Sequence, residues 1–209
     1  MSLALHLSAL AALVPAALLA VRPVSGSGPR LWIALAVAAA GAFGWSVVRL
    51  YGHWDPSLGV ALWISVAASI VVFAVVVAVR PWAGRLVSLL GPYLLVMAVF
   101  GTLTDQPAPE GAVAALPGGW VIVHILVSLS TYALATVAAV AGLAVTLKER
   151  ALKAKREGGW RASLPSVVDA DQLQFQLLLI ALVVLGFGIA TGMVLERDET
   201  VLDLVCRLL

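Results

Sequence analysis

The three histidines of this sequence, His6, His53 and His124, have the chemistry to hold a transition metal in a buried place. Neutral imidazole is a common metal ligand, and its charge switches near neutral pH. His124 stands four residues into an apolar run from Trp120 to Leu147. That run is longer than the roughly 20 residues needed to cross a bilayer. An ionisable group in hydrocarbon is costly, so it points to function by default. The chemistry such a residue offers is axial ligation of haem iron. His53, in the turn YGHWDP, is a candidate second ligand at the same depth. The competing reading is plainer: His124 hydrogen-bonds Ser128, Thr131 or Tyr132 inside a helical bundle. His6 carries the weakest case of the three.

The elements that must position these groups follow from composition. The 209-residue chain is 62% hydrophobic and 11% charged, where a soluble domain carries roughly 25% charged residues. The apolar runs are continuous and do not alternate, which excludes a β-barrel. The expected fold is therefore all-α: a polytopic integral membrane bundle of about six helices, each run long enough to span. A net charge of +2 gives no reason to expect nucleic acid as a partner. The single cysteine, Cys206, excludes an internal disulfide and a CxxC pair. No GxxxxGK[ST], HExxH or GxSxG occurs, so nothing supports phosphoryl transfer or hydrolysis. The acidic residues fall almost wholly in predicted loops. No intramembrane carboxylate relay is expected, which argues against a proton-coupled transporter.

The spans read as Leu3–Val21, Leu31–Leu50, Gly59–Val79, Trp82–Leu103, Trp120–Leu147 and Leu173–Leu195. The chain thus reads as one transmembrane domain: a four-helix half over 1–103, a loop at 104–119, a helix pair over 120–195 and a tail at 196–209. The third and fourth spans are nearly continuous, which predicts a tight hairpin. Loop charge gives orientation. Arg22 and Arg30 flank the first loop, Arg80 and Arg85 the third, and Lys148 to Gln172 holds six basic residues; the second and fourth loops are poor in them. The odd-numbered loops are then cytoplasmic and the N-terminus lies outside. MSLALHLSAL lacks the basic start of a signal peptide and reads as the first span. All three histidines fall in the outer half of the membrane, His124 about 6 Å below Trp120.

Two spans carry small residues suited to close helix contact. These are Ser128, Thr131, Ala135 and Gly142 on the face of His124, and the Gly188–Gly192 pair with Thr191 beside it. Trp54, Trp82 and Trp120 sit at span ends as interface anchors. Trp32, Trp45 and Trp63 lie further inside, facing lipid or packing. The basic stretch KERALKAKREGGW is expected to continue the fifth helix into the cytoplasm until Gly158-Gly159, where its charges could meet anionic membrane lipid.

The segment from Trp120 to Glu196 resembles the cytochrome c assembly protein family, and within it the HemX/YpjD-like branch. The residues that carry this are His124, Ser128 and Tyr132, in the order HI-x-x-S-x-x-x-Y. The exit Lys148 to Lys153 follows, then Leu164-Pro165, Asp169 and Asp171, Gly186-Phe187 and Thr191-Gly192. The resemblance implies a polytopic helical membrane protein of the inner membrane that binds haem b and helps deliver it to apocytochrome c. It implies His124 as the haem-associated histidine and, less directly, His53 as a second. Two departures stand out. The fourth loop, TDQPAPEGAVAALPGG, lacks the tryptophan-rich motif of haem-ligating members. Past the GF…TG helix the sequence reads ETVLDLVCRLL, where the family has a histidine and two more spans. A shortened C-terminal end is expected, and no bis-histidine site that uses that residue.

The functional expectation is a haem-handling accessory in c-type cytochrome maturation, not an enzyme. His124 contacts the haem iron, and Ser128 and Tyr132 orient it by hydrogen bonds. Other cytochrome c maturation proteins are expected partners. The alternatives are a HemX-like regulator that binds another protein through its basic fifth loop, and a small-molecule permease.

Overall fold

A computed structural model describes residues 3–21, 26–50, 57–105, 118–155 and 163–208. Those residues form six α-helices and one 3₁₀ segment, with no strand among them: α1 (Leu3–Leu18), α2 (Pro29–Leu50), α3 (Leu58–Val79), the 3₁₀ segment Pro81–Leu86, α4 (Val87–Leu103), α5 (Gly119–Lys153) and α6 (Val167–Leu208). Five of them are long and apolar enough to cross a membrane; α1, at 16 residues, is shorter. The chain is a multi-pass helical membrane protein.

Helices α1 to α4 form one packed group, in which α1 touches both α2 and α4 while α3 touches α2 and α4. Leu13, Leu31, Trp45, Trp63, Phe73, Leu86 and Leu90 fill its centre and are almost wholly inaccessible. Backbones approach closely where side chains are smallest. A methyl group built on Gly91 of α4 would lie 2.5 Å from the Ala16 carbonyl oxygen of α1. Arg80 ends α3, and Pro81 opens the 3₁₀ segment where its missing N–H costs nothing. The predicted tight connection between the third and fourth spans is thus made by one residue and a 3₁₀ turn.

Helices α5 and α6 form an antiparallel hairpin joined to the group mainly through α3. Their spans are 17% buried, against 39–50% for α2 to α4. Much of their surface, including Leu178, Leu182, Leu185, Phe187 and Ile189, is left to the bilayer.

Three expectations about this hairpin are corrected. Helix α5 stops at Lys153, with Lys155 in the left-handed region at φ 51°, and not at Gly158-Gly159, which lie outside the described residues. Helix α6 begins at Val167, inside what reads as loop, because Ser166 caps it. Its Oγ accepts from the Asp169 N–H at 3.1 Å and donates to the Asp169 carboxylate at 2.6 Å. The first of these satisfies one otherwise orphaned backbone donor at the helix start, and the second holds the two side chains together. The same helix runs on through the segment read as a tail, to Leu208.

The two ends of the bundle differ in charge. Arg80 and Arg85 lie at one end, where Arg80 donates to Gln176 of α6 at 2.7 Å. His6, Arg49 and Asp105 lie at the other, the end that loop charge assigns to the outside.

Candidate functional site

His124 lies on α5 against α6. Its Nδ1 is 3.0 Å from Oγ1 of Thr191, which in turn donates to its own helix backbone at the Gly188 carbonyl, 2.9 Å away. Gly192 makes room for the ring: a methyl group there would come within 3.2 Å of the His124 Cε1. A cleft of about 260 Å³ opens beside the histidine, lined by Ser128, Thr131, Tyr132, Gly188, Ile189 and Met193, among others. The small residues read from the sequence on both helices therefore do meet. Their packing is driven by close backbone approach, since lipid gives no hydrophobic drive for it.

The hydrogen bond that orients His124 thus runs between helices, to Thr191. Ser128 and Tyr132 border the same cleft, and Thr131 bonds its own backbone at the Val127 carbonyl, 3.0 Å away. Thr191 was visible in the sequence beside the glycine pair. Its contact with His124 was not, because 67 residues separate the two.

The donor set fits a haem iron through one atom. Among the described residues, Nε2 of His124 has no hydrogen-bond partner, while Nδ1 is engaged; a ligating imidazole needs that division. No group of three or more His, Cys, Asp or Glu converges among the described residues, so the donor chemistry here is that of a lone imidazole. Clefts that enclose a small ligand run to roughly 300–1,000 Å³, so this one would hold only part of a porphyrin. Its rim residues Ile189, Met193 and Tyr132 are mostly exposed, which leaves the rest of an apolar ring to the bilayer.

His53 lies outside the described residues, as do Trp54 and Asp55. Leu50, near the end of α2, borders a different groove of about 710 Å³ between α2, α3 and α5. That groove meets α5 at Leu126, Leu129 and Ser130, which at 3.6 residues per turn lie on the side of α5 away from His124.

The third histidine is placed where sequence reasoning did not look. His6 is 8% exposed, and its Nε2 donates to Oδ2 of Asp105 at 3.0 Å. Arg49 donates to the other carboxylate oxygen at 2.9 Å. The three come from α1, from the last turn of α2 and from the residue just past the α4 cap. Asp105 therefore does not behave as a loop carboxylate. The chain turns back at Thr104 and tucks its side chain between helices, 6% exposed. The sequence predicts a loop position for Asp105; the structure instead buries its carboxylate at the helix ends, paired with His6 and Arg49. Below the cluster, His6 meets Trp45 edge-on at 5.5 Å, and Trp45 stacks on Trp63 at 5.0 Å. Both tryptophans pack in the core and neither faces lipid. Because Nε2 of His6 is committed to Asp105, that atom is not available to a metal.

A bundle of apolar helices, five of them long enough to span a bilayer, with an oriented imidazole at the α5–α6 cleft, defines a class: polytopic helical membrane proteins. The family model for the cytochrome C assembly protein matches residues 33–197. The chain belongs to the cytochrome c assembly protein family, whose role is the maturation of c-type cytochromes. It is similar to an uncharacterized 28.8 kDa protein from the nifR3-like 5′ region of Azospirillum brasilense. The two are 42% identical over 200 residues, which cover 93% of this chain and 73% of that protein. No solved structure matches the chain significantly.

Proposed function

We propose that this protein handles haem b in the inner (cytoplasmic) membrane during c-type cytochrome maturation. It acts as an accessory to other maturation proteins and not as an enzyme. The observation that supports this most is His124, with one ring nitrogen held by Thr191 and the other without a hydrogen-bond partner among the described residues, at a bilayer-open cleft. When bound, haem would supply a redox-active iron, and His124 is the residue that would hold it. The chain's own residues supply the rest. Thr191 orients the imidazole, Gly192 leaves room for it, and Ile189 and Met193 offer apolar surface to a ring. Ser128 and Tyr132 border the ring's space as further polar groups. His53 is a second candidate contact, proposed from the family resemblance.

The test is spectroscopic. Protein purified in detergent and supplied with haemin should show a Soret band that shifts on reduction with dithionite. His124→Ala should lose that band at equal protein yield. A colourless wild type, or a band unchanged in His124→Ala, overturns the proposal. A variant without the basic residues Lys153 and Lys155 should keep the band, which separates haem handling from regulation through that loop.

A further inference from the structure

We infer that Thr191 fixes the tautomer of His124, placing its proton on Nδ1 and leaving the lone pair on Nε2. The inference rests on the haem reading for its purpose but not for its geometry. A threonine hydroxyl has one proton and two lone pairs. At Thr191 that proton goes to the Gly188 carbonyl, 2.9 Å away within the same helix. What the oxygen turns toward His124, at 3.0 Å, is a lone pair. The facing nitrogen must then carry a proton. In the opposite arrangement, with the hydroxyl proton aimed at a bare Nδ1, the Thr191 oxygen and the Gly188 carbonyl would face each other at 2.9 Å with no proton between them. Two acceptors at that distance repel, and in the low dielectric between two membrane helices the repulsion is poorly screened.

The chain therefore reads Nδ1–H to Thr191 Oγ1, and Thr191 O–H to the Gly188 carbonyl. In water a neutral histidine carries its proton mostly on Nε2, the wrong atom for a ligand that binds through Nε2. Here α6 corrects that preference from across the helix interface. Helix α6 is thus part of the donor's electronics as well as its packing. The same bond sets the ring plane, because Gly192 lets the imidazole lie close against α6. Thr191 is a positioning residue: it acts on the ligand atom through the ring.

Nitrogen NMR on histidine-labelled protein without haem, in detergent at a pH where the rings are neutral, reads the tautomer directly. His124→Ala assigns the signal. The wild type should show a protonated Nδ1 and a bare Nε2 at His124. Thr191→Ser should keep that pattern, and Thr191→Val should shift it toward Nε2–H. Haemin titration of the same three proteins should give Thr191→Val about tenfold weaker binding, at the low end of the roughly 10–100-fold seen when the partner of a ligating histidine is removed. Thr191→Ser should bind close to wild type.

Nε2–H in the wild type, or an unchanged tautomer in Thr191→Val, overturns the inference. Equal haemin affinity in Thr191→Val and wild type overturns its functional half. If the wild type binds no haemin at all, the haem proposal falls, and the tautomer assignment still stands or falls on the spectrum. Wild type and Thr191→Ser carry the test even if Thr191→Val folds poorly.

Discussion

Asp105→Ala should be the most damaging change at the outer end of the bundle. The carboxylate is 6% exposed and accepts from both His6 and Arg49, which are themselves buried. Its removal leaves a guanidinium between helices without this counter-charge. Breaking a buried ion pair by deleting one partner typically costs about 3–5 kcal/mol. The loss should appear as a large fall in thermal midpoint in detergent and as poor yield. Asp105→Asn should be milder, since the amide oxygen still accepts one hydrogen bond while the charge is lost. The double replacement Arg49→Leu with Asp105→Leu should recover part of the stability, because the buried guanidinium is removed together with the carboxylate it pairs with. A double-mutant cycle over the two sites would then show strong coupling. Wild-type stability in Asp105→Ala would mean the cluster carries no energy, and a double variant no better than the single would mean packing, not charge, is at stake.

Gly91→Ala should break the contact between α1 and α4. The added methyl would meet the Ala16 carbonyl oxygen at 2.5 Å and its carbon at 2.8 Å. These are backbone atoms, so no rotamer change relieves the clash. Overpacking of this kind costs about 1–3 kcal/mol when side chains can yield, and the upper end or beyond is expected here. Two controls isolate the cause. Gly44→Ala adds a methyl with nothing within 4 Å and should be neutral or slightly stabilising. In Gly142→Ala the nearest atoms to the new methyl are the terminal atoms of Gln174, from 2.8 Å, and a flexible amide can swing away. Its cost should be small. Thermal unfolding of the three variants ranks them; equal midpoints for Gly91→Ala and Gly44→Ala would show that α1 and α4 are not in close contact.

The contrast between the two halves bears on function. Helices α1 to α4 bury large side chains, stack two tryptophans and lock their outer ends with charge. The α5–α6 hairpin is thinly buried and holds its histidine by one hydrogen bond across small residues. The first half is built for rigidity. The second leaves His124 beside a cleft on its outer surface, which on the proposed function would let an apolar ligand arrive laterally.

Much of this was legible in the residues alone. Apolar run length located the first four helices to within three residues at each end, because a bilayer imposes a length on any helix that crosses it. His124 stood out because ionisable groups are costly at that depth. The small residues at Gly142, Gly188 and Gly192 marked the faces that would meet. The boundary of α6 was missed because a cap by Ser166 and Asp169 outweighs the polar character of the turn that follows.

What the sequence determined, then, was the periodic pattern: the helices, their order and the faces that could approach. Which side chains pair over long separations was decided only by the tertiary structure. His6 and Asp105 are 99 residues apart, and His124 and Thr191 are 67. No local propensity reports such a meeting. It depends on how helix ends are brought together by packing elsewhere, and a carboxylate just past a helix looks the same in sequence whether it faces water or folds back onto an arginine and a histidine.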